Sequence, residues 1–578
     1  MKKFSPKAAA ILLSLALLTP SSQSRATAVP DDFNSFMKDA LSDFDNFIDE
    51  ANRDFINFMR NPWKKHQAEK PVEKRVVPEP VKPVLFDSVA TPPSQQSPTQ
   101  LTIEEILDQT TTESKQKPTV TVNVPQGDKI HREETKPAAP VKPKQPKPDS
   151  TPASPEKPTA PTTTTPDKPS KPSKPSKPTT PSSPTKPATP TKPSQPSTPA
   201  KPAIPTPPEV FGRTGEVYSG GAGRTPITYG GITYYVNNGL KNSITLNGLS
   251  ENAIADAYEG LFRADWQPII SDLKQLKKGG LNNDWALFMF IKQVSESFTP
   301  SRNASMVMRQ FLLNQLGYKA RMAKVPSENR LSLLTATDTQ LYGVIFLDIK
   351  GTRYYDVDAR NPYAMMICEK DAPSSKNLIS MQIRNLPDFG KERKTSTHAT
   401  KSGQPSVSVS VSKPQMDFYM KMPQCDYSVY AQAKVDPVIA ATLVKSLKPA
   451  IEGKGEREAA NLLLDYVQNA FAYATDDEQF GFEKPFFVEE LFYYPSCDCE
   501  DRSILYRYLV KNLLGLDVVL VDYPNHIATA VKFNENVKGD YLMVDGAKYV
   551  VCDPTFIGAP VGMAMPSFRN VQAKVLKY

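Results

Sequence analysis

The chain has 578 residues, 70 Lys and Arg against 62 Asp and Glu, a formal net charge of +8 and 56 prolines. That length leaves room for several domains, while a proline content about twice the ordinary ~5% marks part of the chain as unable to bury a core. Twelve lysines against three acidic residues between positions 136 and 202 carry the whole positive excess, so the rest is near neutral and nucleic-acid binding is excluded as a reading.

Met1-Lys2-Lys3, an apolar run over 8–18 and the small residues Ala26-Thr27-Ala28 have the layout of a signal peptide over 1–28. No cysteine precedes Cys368, which excludes an acylated N-terminal cysteine, and no later run reaches the ~18 apolar residues of a spanning helix. The mature protein is expected to be exported, to a periplasm, a cell surface or the medium, without a transmembrane helix.

Over 29–65, Phe33, Phe44 and Phe55 recur every eleven residues, each with a second phenylalanine three positions on, at Phe36, Phe47 and Phe58. Eleven residues are about three turns, so the pattern predicts an amphipathic helix with one aromatic stripe, ended by Pro62. Such a stripe docks on the protein itself, on a second copy or on an envelope partner. Residues 66–209, typified by Lys168-Pro169-Ser170-Lys171-Pro172, read as a disordered Pro/Lys/Thr-rich linker, an extended spacer of ~3.1 Å per residue where straight.

Residues 436–578 carry the chemistry. Cys499 lies in Cys497-Asp498-Cys499-Glu500-Asp501, just before a run over 504–514 with helical apolar spacing that Gly515 stops. A sulfur at a helix start is expected to have its pKa lowered from ~8.5 by the dipole and the orphan N–H groups. His526 stands between the β-rich runs 518–521 and 527–531, and Asp553 ends another at 548–552. One helix start and two strands bring thiol, imidazole and carboxylate together as nucleophile, base and orienting group. Zinc held by Cys497, Cys499, His526 and Cys552 is the competing assignment, although Cys-x-Cys is not the usual chelate spacing. Five cysteines leave at least one thiol unpaired, and Cys368 with Cys425 is one conceivable disulfide.

Cys499-Glu500-Asp501 at a helix start, His526 on the next strands and then Asp553-Pro554-Thr555 resemble the transglutaminase-like superfamily of papain-type cysteine enzymes. The resemblance implies an α+β fold, a Cys499–His526–Asp553 triad, a peptide or protein substrate, and no metal or organic cofactor. A tryptophan before the cysteine, found in animal cross-linking members, has no counterpart, since Trp occurs only at 63, 266 and 285. Hydrolysis of a peptide-like amide is then expected rather than cross-linking, with Gln479 as a candidate oxyanion donor.

Residues 210–370 read as a degenerate earlier copy. Aligning Gly317 with Gly515 sets Ser301 under Cys499, Asn303 under Asp501 and Ser305 under Ser503, and the run ending at Asp358 echoes the one ending at Asp553. No histidine lies between His131 and His398, so this copy lacks a base. Residues 371–435 read as a connecting segment with a β-strand. The expected architecture is therefore tandem transglutaminase-like, papain-like domains, the first degenerate. The rival to a hydrolase is a non-catalytic envelope module that binds peptide or glycan. Of the aromatic residues between 480 and 494, most are expected to be core, with some lining a cleft.

Overall fold

The computed structural model describes residues 49–73, 84–85, 131–132 and 216–578. These alternate runs of helices with antiparallel sheets, an α+β arrangement with one principal core shared along the chain. The leader at 1–28, the first two phenylalanine repeats and most of the expected linker lie outside the described residues.

The end of the phenylalanine pattern is helical over 49–59 (α1). Phe55, Ile56 and Met59 are buried while Phe58 is 36% exposed. Phe55 meets Tyr258 edge-on at 5.7 Å, and Arg60 bridges to Asp256 and, at 2.6 Å, to Glu259. In these turns the stripe docks on the protein itself. Strand β1 (Lys64–Gln67) follows and crosses the boundary expected at 65/66, because its backbone pairs with a strand at Ala364–Ile367. Two more short strands, β2 (Val84–Leu85) and β3 (His131–Arg132), fall within the span expected to be linker.

Hairpin β4 (Arg224–Tyr229) and β5 (Ile232–Asn237) leads to helices α2 (Glu251–Arg263), α3 (Gln267–Lys278), α4 (Asp284–Phe298) and α5 (Arg302–Gln315). Side-chain oxygens of Ser250, Asn283 and Ser301 each accept from the backbone N–H three residues on, at 3.2, 3.0 and 3.2 Å, which fixes where α2, α4 and α5 begin. Strands β6 (Ala320–Val325), β7 (Arg330–Ala336), β8 (Phe346–Ile349), β9 (Thr352–Tyr355) and β10 (Ala364–Ile367) complete a sheet of order β1-β10-β6-β7-β9-β8. The segment 371–435 holds a hairpin, β11 (Arg393–Ala399) with β12 (Ser406–Ser412), and helix α6 (Lys413–Met420).

In the C-terminal half come α7 (Pro437–Ile451), α8 (Glu456–Ala470), β13 (Ala472–Tyr473), α9 (Asp476–Phe480) and β14 (Ser496–Cys497). Helix α10 (Cys499–Leu514) precedes β15 (Asp517–Tyr523), β16 (His526–Lys532), β17 (Asp540–Val544), β18 (Ala547–Cys552), β19 (Phe556–Ile557) and β20 (Lys574–Leu576). The second large sheet runs β20-β15-β16-β18-β17-β3. Its first five strands follow the same chain path as β10-β6-β7-β9-β8 in the other sheet. Helices α5 and α10 both run into a glycine with left-handed backbone, Gly317 at φ 90° and Gly515 at φ 71°, a conformation that costs other residues a Cβ clash.

Register decides which residues face the site. Val518 and Leu520 join the principal core, while Val519 and Val521 join a separate cluster with Ala528 and Ala530 on the sheet's far side. A one-residue slip would exchange the two faces. Among the described residues no helix is long and apolar enough to cross a membrane.

Docking of α1 makes a differential prediction. Phe55→Ala should cost about 3–5 kcal/mol by opening a cavity, whereas Phe58→Ala should change stability by no more than about 0.5 kcal/mol. Urea midpoints of the two variants would measure this, and equal shifts would refute the docked helix.

Candidate active site

Helix α10 is buried at Cys499 through Arg507, so its N-terminus opens into protein and not into water. It packs on β16: the Ser503 hydroxyl donates to the Ile527 carbonyl at 2.9 Å, and the Ile527 N–H lies against the Cys499 sulfur. His526 is the residue before Ile527 and the first of β16, paired across the ladder with Tyr523. Asp553 directly follows β18, whose Cys552 faces Thr529 of β16. The antiparallel ladder thus returns the chain to the imidazole.

His526 Nε2 and Asp553 Oδ2 are 2.8 Å apart, with both side chains almost wholly buried. The other carboxylate oxygen accepts from the N–H groups of Thr555 at 2.9 Å and Phe556 at 3.2 Å, and Gln468 Nε2 donates to the Asp553 carbonyl at 3.0 Å. Phe568 stacks on the imidazole, centroids 4.9 Å apart and planes 18° from parallel. His526 Nδ1 is buried and has no hydrogen-bond partner.

The thiol does not behave as the helix position alone predicts. Cys499 Sγ donates to Glu500 Oε2 at 3.1 Å and makes no hydrogen bond to His526. Burial first, and then the carboxylates of Glu500 and Asp498, hold the thiol well above its ordinary pKa. A helix terminus contributes ~0.3–1 kcal/mol, less than the several kcal/mol that burying an ion costs. The expected depression of the thiol pKa is therefore reversed in the resting site.

Carboxylates dominate the surroundings. Asp498, Glu500 and Asp501 are buried at the start of α10, and Asp476 is buried beside them. Asp501 accepts from the N–H groups of Phe486 at 2.7 Å and Asp498 at 3.2 Å. Burial and then the neighbouring carboxylates raise Asp476 to about 10 and hold Asp498 and Asp501 well above the ordinary aspartate range. Asp476, Glu483 and Glu500 each bring an oxygen within 4.8 Å of the others, a spacing that would suit a hard divalent cation.

Neither alternative raised by the sequence, the zinc set or the disulfide, is assembled among the described residues. Among the described residues this trio is the only cluster with metal-ligand geometry, so the zinc set is not assembled; the Cys497 and Cys552 thiols point at the carbonyls of Ala472 and Val550. All five cysteines are free, Cys368 and Cys425 included. Gln479 is engaged at both ends with the Ser496 backbone, as donor at 3.3 Å and acceptor at 3.2 Å, which leaves one Nε2 hydrogen of its amide uncommitted by these two bonds.

The first sheet has a matching register. Thr335 faces Tyr355 as Thr529 faces Cys552. Three residues before Thr335 is Ser332, the ladder position His526 holds, and directly after Tyr355 is Asp356, the position Asp553 holds. Ser332 donates to Asp356, as does Tyr363. Asp356 therefore takes the place expected for Asp358, which instead pairs with Lys292 at 2.8 Å and Arg309 at 3.0 Å. Ser301 caps α5, one position before the helical residue that corresponds to Cys499 in α10.

Sequence reading missed Phe568 and Gln468, which lie far along the chain from His526 and carry no local signal. The acids flanking Cys499 are plain in Asp498-Cys499-Glu500-Asp501, but their upward pull on the thiol pKa shows only with their burial.

Two outcomes follow from these electrostatics. The pH midpoint for alkylation of Cys499 by iodoacetamide, followed by peptide mapping, should lie above the free-thiol value of ~8.5 and fall in Glu500→Gln; a midpoint below it, or one unmoved by the substitution, would contradict the burial argument. Glu489 is buried, accepts from Asp436 N–H at 2.7 Å and Gln415 Nε2 at 3.2 Å, and is raised by burial from 4.5 to about 7. A carboxyl raised in the fold binds more protons folded than unfolded, so its stabilisation is complete below 4.5 and is lost as pH rises through 7. Chemical denaturation across that window should show Glu489→Gln removing a decline of about 3 kcal/mol; an unchanged slope would reject the assignment.

Comparison of the chain with protein-family models, with curated proteins and with solved structures finds no match, so the functional reading rests on this geometry.

Proposed function

We propose that the chain is an exported cysteine hydrolase of peptide-like amides, with Cys499 as nucleophile, His526 as general base and then acid, and Asp553 as the group that orients His526. The observation that carries the proposal is the His526–Asp553 pair. Nε2 engaged at 2.8 Å leaves Nδ1 as the buried, unpartnered nitrogen, beside a residue whose N–H meets the sulfur. With the proton on Nε2 shared toward Asp553, Nδ1 is an acceptor.

The thiol turns from Glu500 to Nδ1 and gives up its proton there. The thiolate adds to the amide carbonyl, the C–N bond breaks as the imidazolium returns the proton to the leaving amine, and a thioester remains on Cys499. Water, deprotonated by the same nitrogen, releases the acid and restores the thiol. Asp553 stabilises the imidazolium in both halves, and the scheme needs no cofactor.

We also infer that 210–370 and 436–578 are two copies of one transglutaminase-like, papain-like plan, the first without its chemistry. The common strand path and the equivalent ladder positions of Ser332 with His526, and of Asp356 with Asp553, support this. A serine in the histidine's place keeps the hydrogen bond and removes the base.

A binding-only envelope module is favoured by one observation: the Cys499 proton is held by Glu500, with no bond to His526. Incubation of the protein with a protein-derived peptide mixture, read by mass spectrometry, separates the readings. The hydrolase loses all cleavage in Cys499→Ala, loses about 10²–10⁴-fold in rate in His526→Ala and is unaffected by Ser301→Ala. Cleavage that survives Cys499→Ala would end the proposal, and absence of any cleavage by the wild type would favour the binding module.

A further inference from the structure

A cleft of about 710 Å³ is linked to the candidate site through one wall residue, Glu483, and is within the range of sites that enclose small ligands or short peptide segments. Its base is aromatic. Tyr419 and Phe487 stack with centroids 4.1 Å apart, and Tyr430 leans on Phe487 at 4.8 Å. At its walls stand Met420, 39% exposed, and Phe482, 53% exposed; they are two of the five large apolar side chains that stand exposed among the described residues. Water-facing apolar groups over an apolar base are an unfavourable arrangement for an empty surface.

Charge adds a second constraint. Glu73, Asp477 and Glu483 stand around the cleft with Arg360 and Lys484. Lys484 is buried and paired with Glu490, so its charge is already answered inside the protein. Glu73 and Asp477 then stand on the rim with Arg360. Glu483 also belongs to the trio with Glu500, whose carboxylate accepts the hydrogen bond of the Cys499 thiol. The cleft wall is thus one carboxylate away from the nucleophile.

We propose that this cleft binds the flank of a polypeptide substrate, taking a large apolar side chain against Tyr419, Met420 and Phe482 and an adjacent lysine or arginine at Glu73 and Asp477. The proposal rests on the cysteine-hydrolase reading for its orientation toward Cys499. Peptide recognition itself does not require turnover.

Binding is measured on the full chain carrying Cys499→Ala, which cannot turn over, by fluorescence anisotropy. The probes are a labelled ten-residue peptide with neighbouring Phe and Lys and the same peptide with Glu for Lys. The Lys peptide should bind at least tenfold more tightly. Phe482→Ala should weaken it about fivefold or more, and Asp477→Lys should abolish the discrimination between the two peptides. Both substituted side chains are exposed, and Met420→Asp serves as an independent third variant. Equal affinity for the two peptides, no binding of either, or affinities indifferent to all three substitutions would overturn the cleft assignment. Binding as expected, with no cleavage by the wild type, would leave the cleft standing and remove the hydrolase reading. Cleavage with no effect of the cleft variants would do the reverse.

Discussion

A thiol acts as a nucleophile only as its thiolate, and the start of α10 is a place from which water is nearly excluded. Cys499, Glu500, Asp501 and Arg502 are all buried there, and the sulfur sits between a glutamate of its own helix and the first residues of β16. Every charge in that space must be matched by a partner or a proton. This is why burial holds Asp476, Asp498 and Asp501 above the ordinary aspartate range, and why it holds the Cys499 thiol up as well.

On the proposed reading, the consequence is a site whose parts are positioned but whose charge is not yet released. The imidazole is fixed by Asp553 on one side and by the Phe568 ring on its face, with Nδ1 left open. Thiolate formation at Nδ1 creates an ion pair in a dry site, which becomes favourable only when the acidic neighbours are neutral or otherwise compensated. The raised Asp498 and Asp501 do part of this, and Glu500 is the carboxylate that touches the sulfur. The backbone geometry is sturdier than the electrostatics: the ladder that brings Asp553 to His526 has its counterpart in the first sheet, where Ser332 holds the histidine's ladder position and meets Asp356.

The sequence signalled those parts of the structure that repeat with a period. Helix α10 starts at Cys499 and stops at Gly515, as apolar spacing and the glycine indicate, and the β-rich runs around His526 and before Asp553 are strands β15, β16 and β18. The aromatic stripe of α1 was equally plain, and Phe55 faces the core. What was illegible depends on tertiary approach. Gln479 looked like a free amide until its fold set it against Ser496, and Phe568 is 42 residues beyond the ring it covers. The thiol pKa departs from the expectation because a helix dipole can be read from position, whereas desolvation depends on what the rest of the chain lays over that position. The position equivalent to Asp553 belongs to Asp356 and not to Asp358, because a run of similar residues hides a two-residue difference that only strand pairing resolves.

The most direct test of the central claim is covalent capture with an electrophile that needs the assembled site. Incubation of the intact protein with a peptide vinyl sulfone at neutral pH, followed by mass mapping, should give one adduct, on Cys499, that is lost in His526→Ala and strongly reduced in Asp553→Asn. An adduct spread over Cys497, Cys499 and Cys552, or one on Cys499 that forms as fast without His526, would contradict the account.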